Sequence, residues 1–149
     1  MNNEKVISIL NNLIETCKVG QESFRHAAES IQNSEFRRLF NIFSQQRTQF
    51  VTELQAETHR LGAETSAEST AASMPRNTVP FRHPNAAKSI AGGEATIISA
   101  CQREEEIAVD NYQEALKADL PLDVQYVVKR QYMDIRDAYD RLRILQRAA

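Results

Sequence analysis

The chain has 149 residues, long enough for one domain with a real hydrophobic core. Its 42% hydrophobic and 26% charged residues, with a formal net charge of −2, are those of a globular protein and lack the basic excess of a nucleic-acid binder. No apolar run approaches the roughly 20 residues that cross a bilayer, and Met1-Asn2-Asn3-Glu4 lacks the basic start of a secretory signal, so neither a membrane nor a nucleic-acid partner is expected. Cys17 and Cys101 both fall on apolar stripes, where free thiols pack as small hydrophobes, which points to reduced cysteines in a cytoplasmic protein.

Gly (4) and Pro (4) are few and fall between apolar-periodic segments, so the expected class is all-α. A first helix is predicted over about 3–31, with Val6, Leu10, Leu13, Cys17, Gly20, Phe24, Ala27 and Ile31 on one stripe and Asn2 or Asn3 as its cap. Asn33-Ser34 breaks it and caps a second helix over about 35–61, whose stripe carries Phe36, Leu39, Phe40, Phe43, Phe50, Leu54 and Leu61. Two charged residues, Arg47 and Glu57, lie on that stripe, and Gly62 reads as the glycine just past the helix end.

Residues 62–93 are a long connection, rich in Ala, Ser, Thr and Glu and then carrying Pro75, Pro80 and Pro84, with a short extra helix expected at Ala86–Ala91. A connection of that length returns the chain to its starting end, so the second and third helices are expected to run parallel. The third helix, about 94–118, has Ile98, Cys101, Glu105, Ala108, Tyr112 and Ala115 at spacings of three and four, which puts a carboxylate at the centre of a buried face. Asp119-Leu120-Pro121 is a tight break with Pro121 at the first turn of a fourth helix, about 121–147, whose inner face is Val124, Val127, Val128, Gln131, Ile135, Ala138, Leu142 and Leu145. A shift of 88 residues pairs Gly20 with Ala108, Phe24 with Tyr112, Phe40 with Val128 and Leu54 with Leu142, the faint mark of two related hairpins.

Two helical hairpins joined by a long crossover resemble the ferritin-like antiparallel four-helix bundle. At closer range the chain resembles a bacterial four-helix-bundle family of about 150 residues within that superfamily, known only as a domain of unknown function. The residues that carry the likeness are Phe50-Val51-Thr52-Glu53-Leu54-Gln55 with Arg60-Leu61-Gly62, then Gly92-Gly93-Glu94, Glu105 to Tyr112, and Gln131-Tyr132 through Asp140-Arg141. The resemblance implies a fold more than an activity.

Ferritin-like di-iron proteins place a Glu on each of two helices and Glu-x-x-His on each of the other two, all facing inward. Glu105 fits one of those positions, but the shift of 88 puts Cys17 at its counterpart, and Glu-x-x-His occurs on neither the second nor the fourth helix. Only Glu105 and, at the edge, Asp134 are metal-ligand candidates, and an inward Arg47 at the same level repels cations. The expectation is therefore a central polar layer of Arg47, Glu105, Gln131 and Asp134 in which the guanidinium pairs the carboxylate, with no cofactor. Among the other candidates, His26 between Glu22 and Glu29 has a zinc-like spacing but lies on the solvent face, as His59 does, and His83 lies in the Pro-rich connection. Tyr132 and Tyr139 share a flank of the fourth helix, as core edge or as part of a dimer surface.

With no nucleophile, phosphate loop or histidine pair in evidence, the leading reading is a non-enzymatic, stress-related or protein-association scaffold with a degenerate metal site, partnered by a second copy (a homodimer) or another protein. Two alternatives stand beside it. One is an iron-binding ferritin-like protein or oxidase. The other is a small-ligand pocket in the bundle lined by Cys17, Phe43, Phe50 and Tyr112.

Overall fold

A computed structural model of the chain describes residues 2–62 and 93–148, and within them all regular structure is helical. The expected connection and the short helix at 86–91, with His83, lie outside the described residues. Helix α1 spans Asn3–Ser30 and α2 spans Ser34–Leu61. Helix α3 spans Glu94–Lys117 and α4 spans Leu122–Ala148.

The helix ends follow from local chemistry. The Asn2 side chain accepts the Lys5 amide at 2.9 Å, and Glu4 sits in the first turn of α1, where the unpaired amides favour negative charge. Ile31, expected as the last helical residue, instead leaves the helix in extended backbone and is fully buried. Asn33 Oδ1 then accepts the amides of Glu35 and Phe36 at 2.9 and 3.0 Å, starting α2. Gly62 follows α2 as expected, but at φ −134° and ψ 43° rather than in the left-handed region, so the helix ends on a bond from its amide to the Thr58 carbonyl. Gly93 does occupy positive φ, at +91°, where a side chain would be strained. Pro121 precedes α4 rather than opening it, and its carbonyl accepts the Gln125 amide at 2.8 Å.

The four helices form an antiparallel bundle in which α1 packs on α2 and α3, and α4 packs on α3 and α2. Cross-helix contacts set the directions. The Glu94 carboxylate at the start of α3 accepts the amides of Gln32 and Asn33 at 3.1 and 2.9 Å, beyond the end of α1, while Asn111, further along α3, bonds Thr16. Helices α1 and α3 are therefore antiparallel. Arg60, at the end of α2, pairs Asp123 at the start of α4 at 2.9 Å, so that pair is antiparallel too. Every adjacent pair thus runs antiparallel, and α2 and α3, across the diagonal, run parallel.

The buried side chains form two clusters. One contains Leu10, Cys17, Phe50, Ala108, Tyr112 and Val128, among others. The other contains Phe24, Phe40, Phe43, Ile98, Cys101 and Leu142. The division falls in the seven-residue gaps between Cys17 and Phe24, Phe43 and Phe50, and Cys101 and Ala108, where Gly20, Arg47 and Glu105 sit. Each fully buried Leu, Ile or Phe contributes about 1.5–3 kcal/mol, so the clusters carry most of the stability and the layer between them need not. No helix among the described residues is long and apolar enough to cross a membrane. Because Asn33 holds both the α1–α2 turn and the first amides of α2, Asn33→Ala should lower the unfolding free energy by about 1 kcal/mol, read from urea melts.

Candidate functional site

Glu105 sits on the inner face of α3 with Cys101, Ala108 and Tyr112, and Arg47 on the inner face of α2 between Phe43 and Phe50. The parallel diagonal brings them to one level. Arg47 Nη1 donates to Glu105 Oε1 at 2.7 Å and Nη2 donates to Oε2, a two-pronged clamp with both residues out of water, at 1% and 2% exposure. The guanidinium carbon lies over two aromatic rings, 5.2 Å from the Phe24 centroid and 5.9 Å from that of Phe50. Gly20 makes room for it: a Cβ there would sit 3.2 Å from Nη1. Burial alone lowers the Arg47 pKa, but the charge and hydrogen bonds of Glu105 more than reverse this and hold the cation. Its buried Nε has no hydrogen-bond partner among the described residues.

Beside the clamp runs a chain of polar groups. Tyr112 Oη donates to Gln131 Oε1 at 2.7 Å, which leaves the Cys17 thiol, 3.1 Å from Tyr112 Oη, to donate to that oxygen. Gln131 Nε2 donates to Glu53 Oε1 at 2.8 Å and lies 3.4 Å from the Phe50 carbonyl oxygen. Glu53 also accepts from Arg130 at 2.8 Å, at the bundle surface. Burial raises the Glu53 carboxyl, but hydrogen bonds from Gln131, Arg130 and Gln49 outweigh it and hold the group below the usual carboxylate range. Burial pushes the Cys17 thiol up to about 11 and Cys101 up to about 12, so both stay protonated and unreactive near neutrality.

Three of the four expected members of the layer are buried at this level: Arg47, Glu105 and Gln131. Asp134 stands apart from it. Ile135 takes the inward position of that turn at 0% exposure, and Asp134 is half-buried on the flank, near the Arg130 charge. The carboxylate that does reach Gln131 is Glu53, next to buried Leu54 on α2. The signal for it was the Gln131 amide, which needs an acceptor once buried. The four residues expected to line a pocket do not share one space: Cys17, Phe50 and Tyr112 pack in one cluster and Phe43 in the other.

The donor set does not fit a di-iron centre. Both oxygens of Glu105 are engaged by a guanidinium, Cys17 stands at its counterpart on α1, and α4 offers an amide. Among the described residues no three His, Cys, Asp or Glu side chains converge as a metal site. On the outer face of α1, His26 Nε2 is 3.6 Å from Glu22 and its Nδ1 3.8 Å from Glu29, but Arg25 bonds the same two carboxylates at 2.5 and 3.3 Å. His59 is exposed, and Glu57 pairs with Arg60. Tyr132 and Tyr139 are half-buried against the core, the Tyr132 hydroxyl accepting from Gln113 and Arg136.

Residues 5–118 match the family described as Domain of unknown function (DUF2383), a span that runs from Lys5 in α1 through α2 and α3 and holds the Arg47–Glu105 pair. No curated protein matches the chain.

Removing one partner of a buried ion pair strands the other charge, so Glu105→Leu should cost about 3–5 kcal/mol in chemical denaturation. Glu105→Gln should cost less, because the amide oxygen still accepts from Arg47. The double variant Arg47→Leu/Glu105→Leu should recover most of the loss. The thiols set an alkaline limit. A pKa raised from 9.0 to about 12 makes Cys101 contribute stability in full below pH 9 that is lost as pH rises toward 12. Cys101→Ala should therefore flatten the fall in urea midpoint between pH 9 and pH 12 relative to wild type.

Proposed function

The chain belongs to the DUF2383 family, whose function is unknown, and we propose that it is a non-enzymatic helical bundle that works by association, with a second copy or another protein, on a ferritin-like scaffold whose central layer is an arginine–carboxylate clamp. The observation that carries this reading is the closure of Glu105 by Arg47. The one buried carboxylate among the described residues spends both oxygens on a guanidinium that lies against Phe24, Phe50 and Gly20. A charge held this way is a device for fixing helix register, the best-attested use of buried ionic groups in helical assemblies. The neighbouring Cys17 is protonated, and Tyr112 is pushed well above its usual range, chiefly by burial, so neither supplies a base or nucleophile at neutral pH.

The test is metal analysis of untagged protein, followed by Fe(II) and Zn(II) titration of wild type and Glu105→Ala. This reading expects no stoichiometric uptake by either, with Glu105→Ala merely less stable. Near-stoichiometric metal that disappears in Glu105→Ala would replace it with metal binding at the layer.

A further inference from the structure

We draw no further inference here: the strongest candidate, the chain of buried polar side chains that runs beside the clamp from Cys17 through Tyr112 and Gln131 to Glu53 at the α2–α4 edge, belongs to the site already described.

Discussion

The structure turns on a single buried ion pair. Two full charges at 1% and 2% exposure are tolerable only when each satisfies the other, and the fork of Arg47 against both oxygens of Glu105 does this. The pair lies on the diagonal of the bundle, so it ties the α1–α2 hairpin to the α3–α4 hairpin. A slip of one helical turn in either hairpin would put a guanidinium or a carboxylate among the apolar and aromatic side chains of the clusters. Apolar side chains tolerate small slips, whereas a two-pronged hydrogen bond does not. The two hydrophobic clusters supply the drive to collapse, and the clamp selects one register from those the clusters would allow.

The clamp shapes its neighbours as well. Gly20 carries no side chain because Arg47 occupies that space, and Phe24 and Phe50 present ring faces to the guanidinium. Tyr112 and Gln131 extend the polar layer sideways to Glu53 and Arg130, so the polarity of the centre is led out to solvent. Helix α4 completes the layer from its inner face through Gln131.

The helices and the pairing of Arg47 with Glu105 were legible in the residues. Helical periodicity placed Glu105 inward on α3 and Arg47 inward on α2, and the cost of an unpaired buried charge argued for their meeting. Asn33 and Pro121 marked the breaks. The layer's acceptor was less legible, because Glu53 and Asp134 both sit beside a buried stripe and the pattern of apolar residues ranks them equally. Which one meets Gln131 depends on the rotation and lateral approach of α2 against α4, which periodicity does not report. Phe43 and Phe50, one heptad apart on one stripe, looked like walls of a common pocket; the Arg47 side chain between them assigns each to a different cluster.

The sequence by itself therefore determined four amphipathic helices, most of their caps and breaks, and charged residues on the inner stripes: Arg47 and Glu105 at the centre and Glu57 near the bundle end. These depend on spacing of three and four residues and on capping chemistry, which are local. The tertiary structure decided which groups share a level: the clamp's two-pronged geometry, the choice of Glu53 over Asp134, the fit of Gly20 against Arg47, and the exposure of Leu122, Tyr126, Met133 and Ile144 on the outer side of α4. Those depend on how far each helix turns and slides against its neighbours, a property of packed pairs of helices rather than of any one of them.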